Sequence, residues 1–329
     1  MGNITRISTV GMSREDWLAE RKNSLGGSDM GAILGINNYR SPYAVWAEKT
    51  GKVPDEPDNE AMRVGRDLEG YVIQRFCEAS GKKCHRVNAI LRNSKYPYIH
   101  ANVDRVILGE KSGVEAKTAS ALNERRFAGG EFPATYYAQC CTYLAVTEYQ
   151  RWYLAVLVMG RDFKVYQMTR IPDDACPEWC ESSVYVSDEE IAALVGEAER
   201  FWREHVLGGK VPAVDGSKST TDAVNAIYGK AFDDDKVDLA PMQKLVGYYL
   251  DLKDREKVLK AAINECANKI KVYMGPASSG KCDVATVSWR AQTKTSINTE
   301  ALRTEHPEID LAKYTKTSVS RVFKVTAAK

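Results

Sequence analysis

Ala101-Asn102-Val103-Asp104-Arg105-Val106-Ile107-Leu108, then Gly109-Glu110-Lys111-Ser112, then Gly113-Val114-Glu115-Ala116-Lys117-Thr118: these eighteen residues decide the reading of the chain. Two runs rich in β-branched residues flank a short turn, so 101–108 and 113–118 are expected to form a β-hairpin. On adjacent strands Asp104 and Glu115 come within cross-strand reach. Strand side chains alternate, so Lys117 shares a face with Glu115, while Val114 and Ala116 take the other. Two carboxylates converging on one point suit a hard divalent cation such as Mg²⁺. A neighbouring ammonium suits the charge that develops at a phosphoryl centre. Asp-x10-Glu-x-Lys alone is also the pattern of a turn acid followed by a solvated edge strand. The buried character of Val103, Val106 and Ile107 favours the metal reading, because charges on a half-buried strand need a partner.

Working outward, 62–80 reads as an amphipathic helix, with Val64, Leu68, Val72, Phe76 and Ala79 at helical spacing and Gly81 as its stop. Glu69 shares the side of Val72 and Ile73, either as a hydrogen-bonded structural acid or as a third metal ligand. Upstream, a helix capped by Ser13 carries Arg21 and runs into Leu25-Gly26-Gly27-Ser28-Asp29, with a second helix starting at 30–34 capped by Ser28 or Asp29. The two glycines let the backbone approach a ligand, and Arg21 with Ser28 form a candidate phosphate grip; a plain glycine turn with a capping serine explains the same residues. Among Tyr39, Arg40, Tyr43 and Trp46, Arg40 is a candidate DNA contact, whereas Tyr43 and Trp46 read as core. Downstream come a helix at 135–147 containing Gln139, a hairpin 151–159/163–169, and a helix from 187 with the capping box Ser187/Glu190.

Three regions are expected: a first domain 1–214 that carries the acid pair, a linker 215–236 ending in Asp233-Asp234-Asp235, and a C-terminal extension 237–329. The extension is expected to hold a long amphipathic helix, 241–274, and a β-hairpin from 284–290 and 318–325. The helix carries a stripe through Leu245, Tyr248, Leu252, Leu259 and Ile263, suited to packing within the chain or to a partner helix.

With 329 residues, 44% hydrophobic and 27% charged, the composition is that of a soluble globular chain. No apolar run reaches the roughly 18 residues of a membrane span, and the N-terminus has no secretory pattern, so a cytoplasmic location is expected. A net charge of +2 gives no global field for nucleic acid, though a basic groove lined by carboxylates sums to nearly zero. The eight cysteines are expected as thiols. A zinc site built on Cys176, Cys180 and His205 lacks a fourth well-spaced ligand.

Leu25-Gly26-Gly27-Ser28-Asp29-Met30-Gly31-Ala32-Ile33-Leu34-Gly35 resembles the opening of the YqaJ-type viral recombinases, relatives of phage lambda exonuclease. Gly65-Arg66-Asp67-Leu68-Glu69, Asp104, Glu115-Ala116-Lys117 and Tyr137-Ala138-Gln139 follow in the family order, and the similarity covers about residues 13 to 170. The resemblance implies an α/β (α+β) PD-(D/E)xK restriction-endonuclease-like core with a central mixed sheet flanked by helices. It implies a 5′→3′ exonuclease on ends of double-stranded DNA, using two Mg²⁺ ions with Mn²⁺ as the alternative and no nucleotide cofactor. Asp104, Glu115, the Ala116 carbonyl and Glu69 would hold metal, Lys117 would be the catalytic lysine, and Gln139 would position the lysine or the water. Arg21 and Ser28 would take the 5′-phosphate. It further implies a ring-shaped homotrimer, a single-strand annealing protein as partner, and a phage or prophage origin in a bacterial host. Departures are Val103 in place of a proline before Asp104, and Asn102 where lambda-like members carry a hydroxyl residue. The four cysteines of the iron–sulfur relatives are absent at suitable spacing, so no such cluster is expected. An endonuclease or nickase on the same core, or a non-catalytic DNA-binding recombination subunit, are the alternatives.

Overall fold

The computed structural model describes residues 3–37, 39–54, 58–127, 129–229, 236–316 and 323–326. Its backbone separates into two units, 1–228 and 229–329.

The first unit is built on a six-stranded mixed sheet. Its strands are β3 (Cys84–Arg86), β6 (Arg105–Ile107), β7 (Ser112–Ala119), β8 (Arg151–Val158), β9 (Asp162–Thr169) and β10 (Ser182–Tyr185), in the order β10-β9-β8-β7-β6-β3. β7 and β8 run parallel over eight residue pairs, and β8 pairs antiparallel with β9. A parallel pair needs a crossover; α5 (Ala134–Thr147) supplies it. Alternation along β8 divides the core. Tyr153 and Ala155 face α4 (Glu60–Ser80) and pack with its Val72, Ile73 and Phe76. Trp152 points the other way, 5.0 Å between ring centroids from Tyr143 of α5, into the cluster that also holds Phe201 of α6 (Asp188–Phe201). Helices on both faces are what the family resemblance implied. Fully buried Trp152 also fixes Gly113, where a Cβ would lie 2.3 Å from its ring.

A smaller four-stranded sheet, β1 (Ile4–Ser8), β4 (Ala89–Asn93), β5 (Ile99–Ala101) and β2 (Leu25–Gly26), lies beside the first. The run 101–108, expected as one strand, is therefore split. Ala101 ends β5 in one sheet and Arg105 begins β6 in the other, with Asn102–Asp104 between them. Apolar residues on both sides of the break hide it from pattern reading.

The caps behave as local chemistry predicts. Ser13 caps α1 (Arg14–Lys22), Ser41 caps α3 (Pro42–Lys49), and Ser187 closes the expected capping box of α6. α2 (Gly27–Ile33) differs from expectation: its N-cap is Gly26, and Asp29 reaches back to the Gly26 N–H at 2.8 Å, so Ser28 is free of capping. The linker expected at 215–236 is also revised. Lys218–Tyr228 forms α7, with Thr220 bonded to Ser41 at 2.8 Å, and belongs to the first unit; 230–235 lie outside the described residues.

The second unit holds α8 (Gln243–Met274), with no buried residue, a short hairpin of β11 (Ser279–Lys281) and β12 (Thr286–Ser288), and α9 (Thr299–Glu305). β12 pairs with 279–281; of the strand expected at 318–325, 318–322 lie outside the described residues and 323–325 are not in a strand. Among the described residues no helix is long and apolar enough to cross a membrane.

Candidate active site

The break after β5 makes the site. Arg105 pairs with Val114 across β6 and β7, which sets Asp104 beside Glu115. Asp104 Oδ2 accepts the Ala116 N–H at 2.8 Å, fastening the loop acid to β7. Lys117 Nζ lies 2.5 Å from Glu115 Oε1, so alternation on β7 puts the two on one face as expected. Gln139 on α5 donates to the same Oε1 at 2.6 Å and, through the other hydrogen of its amide, to the Tyr143 hydroxyl at 2.6 Å.

Two donors thus converge on Glu115 Oε1, while Oε2 is buried without a partner. Glu115 is 2% exposed, and a bare carboxylate oxygen there is costly unless something positive meets it. Asp104 feels the same imbalance. Burial first, and the Glu115 charge second, push its carboxyl well above the usual range, against the pull of Lys117 and the Ala116 N–H. For Lys117 burial opposes the charge, but Glu115 and Asp104 overcome it and keep the ammonium firmly protonated.

These groups open into a cleft of about 560 Å³ that also takes in the other expected residues. Arg21, Ser28, Arg40, Glu69, Asn102 and Ala116 all line it. Arg21 lies over the Trp17 ring at 4.5 Å, and its Nε is buried without a partner. Arg40, read as a DNA contact, is paired with Asp29 at 2.5 Å and with Glu48. Glu69 lines the cleft, but its Oε1 is held by Arg105 at 2.5 Å and Arg86 at 3.0 Å. Among the described residues no three His, Cys, Asp or Glu side chains group closely enough for a metal cage, with Glu69 or with the cysteines. The donor set at hand is therefore Asp104 and Glu115, with the bare Oε2 as the atom that fits a cation.

Tyr143 escaped the sequence reading, although its place four residues after Gln139 on one helix puts it on the same face. It is buried under Gly27, where a Cβ would lie 2.9 Å from its ring and 3.1 Å from Gln139. That glycine lets the Ser28 segment sit directly on the residues that hold Glu115. Tyr43 and Trp46 are core, each 3% exposed, as their pattern suggested.

Residues 16–150 match the YqaJ-like viral recombinase domain. The uncharacterized protein YqaJ of Bacillus subtilis (strain 168) is 35% identical over 303 residues, 91% of this chain and 90% of that one.

The chain belongs to the YqaJ-like viral recombinase family.

Among solved structures, LHK-Exo in complex with dAMP aligns at a TM-score of 0.45 with 18% identity, covering 58% of this chain and 91% of that one. A second structure of LHK-Exo, an alkaline exonuclease from Laribacter hongkongensis, gives 0.45 and 16% over the same shares. A phage-related exonuclease from Haemophilus somnus 129PT gives 0.39 and 10%, over 57% and 96%. Asp104, Glu115, Ala116, Lys117 and Gln139 all fall inside the stretch matched to the YqaJ-like domain, as do Arg21, Ser28 and Glu69.

Proposed function

We propose that this protein is a metal-dependent deoxyribonuclease that digests one strand of linear double-stranded DNA from its 5′ end. The product would be a 3′ single-stranded overhang ready for recombination. The observation that carries the reading is the uncompensated acid pair: Glu115 Oε2 has no partner, and burial first, then the Glu115 charge, push Asp104 toward its protonated form. Asp104 and Glu115, with the Ala116 carbonyl as a further oxygen donor, would hold a divalent cation whose charge would relieve both. Mg²⁺ is the ion of choice and Mn²⁺ the alternative, two per site by resemblance. When bound, such an ion neutralises phosphoryl oxygens and makes the attacking water more acidic. Glu69 would join the ligands only by leaving Arg105.

The chain's own residues do the rest. Lys117, held cationic beside Glu115, orients the attacking water and balances the charge that accumulates on phosphorus-bound oxygen. Gln139 and Tyr143 keep Glu115 in one rotamer, so the acid is positioned before substrate arrives. Arg21 and Ser28 would receive the 5′-phosphate, with Asn102 beside it. The orphaned Nε of Arg21 supports this, since a buried N–H facing a cleft calls for an acceptor. A phosphate held there and a scissile bond at Asp104 set the 5′→3′ direction. Assembly into a ring trimer and work beside an annealing protein complete the proposal.

Linear duplexes labelled at the 5′ or the 3′ end, with a closed circle alongside, test it in Mg²⁺. Early release of the 5′ label with an intact circle is expected. A cut circle would establish an endonuclease instead, and DNA binding without cleavage in Mg²⁺ or Mn²⁺ would leave a binding subunit.

A further inference from the structure

Behind the wall that carries Arg21 and Ser28 lies a knot of buried charges that the chemistry at Asp104 does not use. Asp29 is 1% exposed. Its Oδ2 accepts the Gly26 N–H at 2.8 Å and lies 2.9 Å from Lys49 Nζ, while its Oδ1 takes Arg40 at 2.5 Å. Lys49, with its side chain equally buried, also donates to the Arg21 carbonyl at 2.9 Å. Arg40 is shared with Glu48 of α3. Each of these contacts ends on a segment that shapes the cleft: the end of α1, the Gly26–Ser28 turn, or α3.

The distribution of partners is uneven. Three cations, Lys49, Arg40 and Arg21, surround Asp29, and two of them are engaged by it. Arg21 is not: among the described residues no carboxylate pairs with it, its Nε is buried and unbonded, and its only ring contact is Trp17. The geometry points to Asp29 as the positioning residue of the phosphate wall, the group that occupies Lys49 and Arg40, pins Gly26, and so leaves Arg21 set toward the cleft for a terminal phosphate monoester. This rests on the 5′-phosphate reading above, and it adds the residue through which that wall is held.

The test measures Kd by fluorescence anisotropy in EDTA, so that no cleavage intervenes, on duplexes ending in a 5′-phosphate or a 5′-hydroxyl. Wild type is expected to favour the phosphorylated end about tenfold, the order of one charge-assisted bidentate contact. Asp29→Asn/Lys49→Met removes both charges of the buried pair together, so that neither is left buried without the other. In that variant the preference should fall to about twofold or less, with binding of the hydroxyl end nearly unchanged. Arg40→Gln, at a partly exposed position, should give a smaller loss confined to the phosphorylated end and serves if the double variant does not fold. Retention of the full preference in these variants overturns the role of Asp29, as does an equal weakening of both ends, which a merely structural role would produce. A wild type that shows no preference overturns the phosphate wall itself, and Arg21→Ala, expected to abolish the preference, separates that failure from the first.

Discussion

Asp29 and Glu115 are both carboxylates almost wholly withdrawn from solvent, at 1% and 2% exposure, and both have a lysine within salt-bridge distance. Their surroundings differ in one respect. Both oxygens of Asp29 are occupied, by Gly26, Lys49 and Arg40, and although burial opposes its charge those cations hold the carboxyl far below the usual range. Glu115 has donors on one oxygen only and a second acid, Asp104, forced toward protonation beside it. The contrast separates a buried charge that the fold satisfies from one that it leaves open for the chemistry proposed above. A satisfied carboxylate holds segments together, whereas an unsatisfied pair stores an electrostatic demand that a cation and a phosphate can meet.

The strongest way to break this comparison is Lys117→Ala. If the Glu115 cluster serves chemistry, cleavage should fall by about a thousandfold or more, roughly 4 kcal/mol of barrier, under conditions where urea unfolding shows the variant still folded. Loss of stability with activity retained would put Lys117 in the same class as Lys49. Asp29→Ala should do the opposite. It leaves Lys49 buried without a counter-charge and should lower unfolding free energy by about 3–5 kcal/mol, measured by urea titration.

A smaller effect sharpens the satisfied side. His100 is buried beside Gly26, with Nδ1 2.8 Å from the Ser24 hydroxyl. Burial, with Lys49 and Arg21 nearby, lowers its pKa to about 3 from an ordinary 6.5. Between those values the unfolded chain binds the extra proton, so stability is complete above pH 6.5 and declines as pH falls toward 3. From pH 6.5 to pH 5 the loss should be about 2 kcal/mol from this group, and His100→Gln should remove that part of the slope. The smallest effect is a control. Lys253 and Glu256 form an exposed pair on α8, and Glu256→Gln should leave the melting curve unmoved, because solvent already screens that contact.

Much of the site was legible because it depends on short-range periodicity. Alternation on β7 alone places Glu115 and Lys117 together, whereas Gln139 entered through the family resemblance. What was not legible depends on which segment meets which. The sequence around Asn102 gives no sign that one apolar run changes sheets, so Asp104 was expected on a strand and instead sits in the connection. Glu69 looked like a metal acid because its helix face points inward, but Arg105 and Arg86, from strands distant in sequence, take its carboxylate. Arg40 looked free for DNA because Asp29, eleven residues earlier, reads as an ordinary capping acid. α7 was lost in an expected linker because its buried residues, Thr220 and Ala223, are small.

The account turns on the claim that Asp104 and Glu115 form a cation site in waiting, and a thermal melt with and without Mn²⁺, on wild type and Glu115→Gln, tests it without any DNA. Binding to the folded state alone should raise the wild-type melting temperature as the ion concentration passes its Kd, and the variant should show little or no rise. Equal shifts in both proteins, or none in wild type at millimolar ion, would contradict it.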